Sequence, residues 1–142
     1  MKLFLDTNVF LYAFLNQDVA KKVTAARILA ASVRDGNGYV SLQVAKEFCN
    51  VMVKKSAKPI AELTKALDLV ARFHVIDDTF ALVRRALEVK KLYGIQFFDA
   101  LMVASAEKGG CDEILTEDLN DGQIYCGIRA VNPFKDNKHL TP

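Results

Sequence analysis

The residues best suited to chemistry are carboxylates that cluster in one segment of the chain, residues 96–122. Its sequence is QFFDALMVASAEKGGCDEILTEDLNDG. Asp99 lies in the first turn of a predicted helix, and three further acids follow a short predicted strand, namely Glu117, Asp118 and Asp121. Carboxylate oxygens are the ligands that hard cations such as Mg²⁺ and Mn²⁺ prefer. The segment therefore indicates metal-assisted chemistry if the fold brings these side chains together.

The elements of this segment would place its acids at one edge of a sheet. From Ala100 to Ala106 the predicted helix is apolar or small on nearly every side, which is typical of a buried helix. Gly109 and Gly110 end it, because glycine accepts the left-handed conformation found at helix C-termini. One acid then lies at a helix N-terminus, and the others lie past the end of the strand over 113–116. In open α/β sheets, ligands bind at that edge.

An earlier acid follows the first predicted strand. Residues 2–5 form a short apolar run, interpreted as a central strand, and Asp6 comes directly after it. Asp6 is either a helix cap or a ligand at the same sheet edge. Thr7 and Asn8 are predicted to cap the helix over 9–15 and to orient Asp6.

Glu47 lies within a predicted helix over 42–55, for which Ser41 is the predicted N-cap. It is three residues from Val44, beside an apolar stripe. It is either a solvated surface glutamate or a side chain that reaches a pocket where helix and sheet meet. The residues alone leave both interpretations open.

Strands that alternate with helices predict a three-layer α/β/α fold with a mainly parallel sheet of four to five strands. The predicted strands span 2–5, 39–40, 74–76, 113–116 and 124–131. Four of the predicted helices span 9–15, 19–33, 42–55 and 60–73. A fifth runs to 93 and has Asp77 or Asp78 as its cap. The last runs from 97 or 98 to the glycines at 109–110. Right-handed crossovers put the C-terminal ends of the strands on one edge. Asp6 and Asp118 should meet there, and a helix start should bring Asp99 to them.

This arrangement resembles the PIN domain, the metal-dependent nuclease fold of VapC-type toxins. In that family an Asp-Ala pair opens a buried helix and a Thr-x-Asp follows the next strand, as Asp99-Ala100 and Thr116-Glu117-Asp118 do here. An Asp after the first strand and a Glu in an early helix match Asp6 and Glu47. The sequence SLQVAKEF over 41–48 also looks like the family's segment around its Glu. The resemblance covers residues 1–133.

The resemblance implies the roles of individual residues. The implied catalytic and metal-binding residues are Asp6, Glu47, Asp99 and Asp118. Asp6 and Asp99 would bind the metal directly, and Glu47 and Asp118 would bind a second metal or position water. The implied supporting residues are Thr7, Asn8 and Thr116. Glu117 and Asp121 flank Asp118 and are possible substitutes for the fourth acid.

The implied function is a Mg²⁺- or Mn²⁺-dependent endoribonuclease, the toxin of a type II toxin–antitoxin pair. Two alternatives stay open, namely a stand-alone RNA-processing nuclease and a non-catalytic RNA-binding or scaffold protein. Two other classes of protein resemble this sequence less. Haloacid-dehalogenase-type phosphatases carry Asp-x-Asp, a pattern that Asn8 breaks. Receiver domains carry adjacent acids after the first strand. No GxGxxG or GxxxxGK[ST] run occurs. No Ser-His or Cys-His pairing indicates a protein nucleophile.

Length and composition suit one globular domain. The chain has 142 residues, 51% hydrophobic and 25% charged. We expect a domain over 1–134 and a polar C-terminal tail over 135–142. The apolar runs are too short to span a bilayer, and the N-terminus does not resemble a signal peptide. The odd cysteine count, with no metal-ligand spacing, favours reduced thiols in the cytoplasm.

The sequence also predicts partners. A homodimer and an antitoxin partner are expected because the helices carry more apolar residues than one small core clearly needs. The residues concerned are Phe10, Phe14, Phe48, Val51 and Met52. The alternative is that all of them belong to the core. Basic residues in helices away from the acids, such as Lys21, Arg27 and Arg84, would suit an RNA polyanion held over metal ions.

Overall fold

The computed structural model describes residues 1–135, so the predicted polar tail over 135–142 lies outside the described residues except for Lys135. Strands and helices alternate, as expected. The strands are β1 Leu3–Leu5, β2 Gly38–Ser41, β3 His74–Ile76, β4 Glu113–Leu115, β5 Ile124–Tyr125 and β6 Ile128–Val131. The helices are α1 Thr7–Phe14, α2 Val19–Asp35, α3 Leu42–Lys55, α4 Ile60–Val70, α5 Phe80–Tyr93 and α6 Phe97–Lys108. No helix of residues 1–135 is long and apolar enough to cross a membrane.

The sheet order is β3-β2-β1-β4-β6-β5, and all neighbours pair in parallel except β5 and β6. Right-handed crossovers in this order place α1 to α4 on one face and α5 and α6 on the other. The predicted three-layer α/β/α fold with a mainly parallel sheet is therefore confirmed. Leu5 lies opposite Leu115. The residues that follow them, Asp6 and Thr116, consequently leave the sheet side by side.

The sheet has six strands and not four to five, because the predicted strand over 124–131 is a hairpin. Cys126 and Gly127 separate β5 from β6, with φ angles of 51° and 80°. Two positive φ angles match the twist of the flanking strands in a two-residue hairpin turn. Cysteine is not a residue that usually signals such a turn, so the pattern looked continuous. The cap of α5 is also Thr79 and not Asp77 or Asp78, since the Thr79 hydroxyl accepts from the Leu82 amide at 3.1 Å.

Helix α6 is buried from Ala100 to Ala106, as its composition predicted. It contacts the sheet on one side and α5 on the other. Apolar contact all round leaves this helix one stable position. The position of its first turn, which carries Asp99, is therefore set by the core.

The premise that the apolar helix residues exceed the core is wrong for three of the five. Phe10, Phe48 and Met52 are at most 1% exposed, and the ring of Phe10 packs between Phe48 and Phe73 at 6.2 and 5.2 Å. Phe14 is half-buried against the same core. The apolar stripe of a single helix underestimated the core because α1 packs against two other helices, α2 and α3.

Candidate active site

Asp6, and not the predicted Thr7 or Asn8, caps α1, and it lies at the sheet edge where a ligand was expected. Its Oδ1 accepts a hydrogen bond from the Thr7 amide at 2.6 Å. Its Oδ2 accepts from the Thr116 hydroxyl at 2.7 Å. The same hydroxyl accepts from the Asp118 amide at 3.0 Å, which ties the loop after β4 to the end of β1. These contacts leave Asp6 only 8% exposed.

Glu47 is oriented by two neighbours and is not a freely solvated glutamate. The Thr7 hydroxyl donates to its Oε2 at 3.2 Å, and the Gln43 amide donates to its Oε1 at 3.0 Å. Helix α3 begins directly after β2, where the Ser41 hydroxyl accepts from the Val44 amide as predicted. This start brings the first turns of α3, and with them Glu47, to the edge where Asp6 lies.

The structure brings all four predicted acids to one small cavity. Asp6, Glu47, Asp99 and Asp118 line a space of about 60 Å³, together with residues of α3 and α6. The cavity lies at the ends of the neighbouring strands β1 and β4. The connections after these two strands run in opposite directions along the sheet, from β1 toward β2 and from β4 toward β6. A crevice at such a reversal of strand order is the usual ligand site of open α/β sheets.

Of the other predicted site residues, Thr7 lines this cavity and Thr116 contacts Asp6, whereas Asn8, Glu117 and Asp121 do not line it. Glu117 accepts from the Tyr12 hydroxyl and from the Lys21 ammonium, both at 2.6 Å. Lys21, which we expected away from the acids, is thus paired with one of them. Asp121 accepts from the Asn132 amide at 2.8 Å. Asn8 makes no side-chain hydrogen bond to any residue from 1 to 135.

Sequence reasoning missed four residues around the site. Gln43 and Phe98 line the cavity, and Tyr12 and Lys21 hold the loop after β4 through Glu117. Gln43 could have been found, because it precedes Glu47 by four residues on the same helix face. Tyr12 and Lys21 carry no local signal, since they are about a hundred residues from their partner.

Burial makes the charge of this cavity costly. It raises the pKa of Asp6 from its ordinary value of 3.8 to about 7, and the nearby Asp118 charge adds to this rise, while hydrogen bonds from Thr116 and Thr7 oppose it. Burial also raises the pKa of Asp99, with further contributions from Asp118 and Glu47. Several carboxylates that disfavour each other's ionisation would gain from a bound cation.

The donors fit a hard divalent cation in chemistry, although they are not already gathered as a ligand set. Within residues 1–135, no three Asp, Glu, His or Cys side chains converge closely enough to hold an ion as they stand. Repulsion between carboxylates favours such separation when no cation balances them. Oxygen-only donors around a small polar cavity suit Mg²⁺ or Mn²⁺, provided that the side chains close around the ion.

Comparison with known proteins agrees with this architecture. The family model of the PIN domain matches residues 3–121. The chain belongs to the PIN domain family. No curated protein matches the chain by sequence.

Solved structures share the fold at low sequence identity. A toxin–antitoxin complex from Klebsiella pneumoniae has a TM-score of 0.71 at 20% identity, covering 94% of this chain and 98% of that one. The Mycobacterium tuberculosis toxin VapC20, which cleaves the Sarcin-Ricin loop, has 0.69 at 20%, covering 90% and 99%. A DNA-bound VapBC from Salmonella typhimurium has 0.67 at 17%, covering 92% and 96%. Coverage of at least 90% of each chain shows that nearly the whole PIN-like fold is shared.

The raised pKa of Asp6 predicts how stability depends on pH in a metal chelator. Between about pH 4 and pH 7 the folded protein holds a proton that the unfolded chain has released, so folding stability should fall as pH rises through this window. Asp6→Asn should flatten this part of the profile, because an amide does not ionise. The measurement is the melting temperature across pH, with the exposed Asp68→Asn as the charge-matched control.

The variant Asp99→Asn tests whether Asp99 is repelled by the other acids or stabilises the protein as a helix cap. In chelator, Asp99→Asn should raise the melting temperature, by about 2–4 °C for each kcal/mol of repulsion relieved. Mg²⁺ or Mn²⁺ should stabilise the wild type by mass action and the variant much less. A variant that is less stable in chelator, yet gains equally from metal, would show that Asp99 acts as a helix cap.

Proposed function

We propose that this PIN domain protein is a metal-dependent endoribonuclease of the cytoplasm and the toxin of a type II toxin–antitoxin pair. The observation that carries the proposal is the cavity of about 60 Å³ lined by four carboxylates from four different parts of the chain. A structural role does not account for them, since placing like charges beside the buried Asp6 costs stability. Nuclease chemistry accounts for both the residue types and their placement.

Each acid has a role in this proposal. Asp6 and Asp99 would hold Mg²⁺ or Mn²⁺ directly, and Glu47 and Asp118 would hold a second ion or position the attacking water. A bound ion would activate this water and stabilise the charge that develops on the phosphate. The cavity has a volume of only about 60 Å³, so the bases of a bound RNA would lie outside it.

Polar neighbours hold the acids in position. Thr116 and the Thr7 amide fix both oxygens of Asp6, and Thr7 with Gln43 fixes Glu47. Such partners of ligating groups typically affect metal affinity or activity by about 10- to 100-fold. We assign the fourth acid to Asp118, because Glu117 and Asp121 are engaged elsewhere.

Removing one ligand charge should abolish cleavage but not binding. We expect the wild type to cut members of a panel of structured RNAs with Mg²⁺ or Mn²⁺ and not with chelator. Loss of a residue that supports a metal ligand typically lowers activity by about 10- to 100-fold. Asp99→Asn removes a ligand itself, so it should lower the cleavage rate by more than roughly 100-fold. It should largely keep RNA affinity. Cleavage rates and equilibrium binding on the same RNAs are the measurements.

Matched variants identify the fourth acid. Asp118→Asn should lose cleavage like Asp99→Asn, whereas Asp121→Asn should keep it. Glu117→Gln should also cut RNA, while losing about 1 kcal/mol of stability with its ion pair to Lys21. Wild-type cleavage by Asp99→Asn would mean that the site assignment is wrong. A wild type that cuts no RNA with either metal would favour the scaffold alternative.

The proposed antitoxin has a suitable apolar surface. Two hollows, of about 370 and 330 Å³, meet at Phe14 and Leu69 between α1, α2, α3 and α4. Their walls are mainly apolar, and the charged residues that line them are three cations, Arg72, Lys58 and Lys65, and one acid, Glu62. Together the two hollows form one groove, which an amphipathic antitoxin segment with acidic flanks would fit. The toxin–antitoxin complexes of the same fold support such a partner.

A charge in the groove should weaken antitoxin binding and leave the nuclease intact. Leu69→Arg places a cation between the two hollows, so we expect at least a tenfold loss of affinity for the small protein encoded beside this gene. Val53→Arg, on the exposed face of α3, is the control. Affinity and neutralisation of cleavage are measured together. If the adjacent gene encodes no binder, the protein is a stand-alone nuclease.

We also propose that the protein is a homodimer whose interface lies on α5. Phe80, Val83 and Leu87 are 89%, 41% and 57% exposed at helical spacing, and form one apolar stripe. Contiguous exposed apolar surface is typical of an interface, and we propose a second copy of this chain as its partner. Light scattering should give a dimer for the wild type and a monomer for Leu87→Lys. A wild-type monomer at high concentration would contradict this.

A further inference from the structure

One aromatic side chain is exposed at the mouth of the acid cavity. Phe98 is 60% exposed, although it belongs to α6, whose next turns are buried. It lines the cavity and directly precedes Asp99. Phe97 packs against the core instead, and its ring meets Phe98 edge-to-face at 5.3 Å and 75°. The core therefore does not need Phe98, yet a partly buried neighbour contacts its ring.

The acid cavity, which Phe98 lines, adjoins a larger open hollow. The acid cavity of about 60 Å³ is too small for a nucleobase. Beside it, an open hollow of about 550 Å³ shares Asp99 and Asp118 with the cavity and is otherwise lined by Gly94, Ile95 and Gln96. An RNA strand with one phosphate at the acids must leave the neighbouring bases outside, at the height of Phe98.

We propose that Phe98 is a substrate-binding residue on which an unpaired nucleobase next to the scissile phosphate stacks. This inference rests on the proposed nuclease function and adds a substrate-binding residue, which would contact RNA with unstacked nucleotides at the cut. A base within a duplex has both faces covered by its neighbours, so its face is not available to a side chain. Exposed aromatic rings bind unpaired bases of any identity because every base has a π face.

The segment beside Phe98 is preformed. Gly94 adopts the left-handed conformation, with φ of 67°, where α5 ends. The Lys90 ammonium donates to the Ile95 carbonyl at 3.0 Å, which holds the turn between α5 and α6. The side-chain amide of Gln96 makes no hydrogen bond within the described part of the chain. It can therefore bind the edge or ribose of a nucleotide stacked on Phe98 without breaking another contact.

The test uses a short unstructured RNA that contains 2-aminopurine, and the same sequence as a duplex. Binding is measured in Mg²⁺ with Asp99→Asn as the uncleaving parent, which we expect to quench the fluorescent base and to prefer the single strand. Phe98→Ala should weaken binding by roughly 5- to 100-fold and abolish the quenching. Phe98→Leu should behave like alanine, because it is apolar without a π face, and Phe98→Trp should restore both signals.

Cleavage separates this inference from the nuclease function itself. In an otherwise wild-type chain, Phe98→Ala should raise KM with little change in kcat, because stacking is a binding contact. Cleavage that is equal in wild type, alanine and leucine variants would overturn the inference and leave the nuclease function. A duplex bound as well as the single strand, or an alanine variant altered only in dimer or antitoxin affinity, would also overturn it. Failure of the wild type to cut any RNA overturns the function instead.

Discussion

The site depends on one buried hydrogen bond, which joins the ends of two neighbouring strands. The Thr116 hydroxyl donates to Asp6 at 2.7 Å and accepts from the Asp118 amide at 3.0 Å, so one oxygen positions two acids. It can do so only because β1 and β4 pair in parallel with Leu5 opposite Leu115. A register shift by one residue would turn these side chains to opposite faces of the sheet.

The same arrangement that destabilises the ionised form of Asp6 would favour the binding of a cation. Burial and the charge of Asp118 make the ionised form of Asp6 unfavourable, and hydrogen bonds from Thr116 and Thr7 offset only part of this. The fold tolerates the cost because its apolar core is extensive, with α6 buried over seven consecutive residues and Phe10 packed between two rings. A site that is unfavourable without a cation is well suited to bind one, which is why stability and metal affinity should be linked.

Much of the fold could be predicted because local patterns agreed with the tertiary structure. The buried helix α6, its glycine end and the Ser41 cap were all visible in short stretches of sequence. The hairpin at Cys126 was not, because a cysteine in a positive-φ turn carries no compositional signal. The extent of the core was also misjudged. A stripe on one helix shows which face is apolar, but it does not show how many elements cover that face.

Local sequence patterns were enough to identify which acids follow strands or open helices, and therefore which could meet at the sheet edge. How their side chains are used depends on the tertiary structure. It places Asp118 at the cavity because Lys21 and Tyr12 engage Glu117, from about a hundred residues away. It also leaves Phe98 exposed beside the acids while Phe97 packs on the core. The direction of a side chain depends on partners that are distant along the chain, and local spacing contains no information about them.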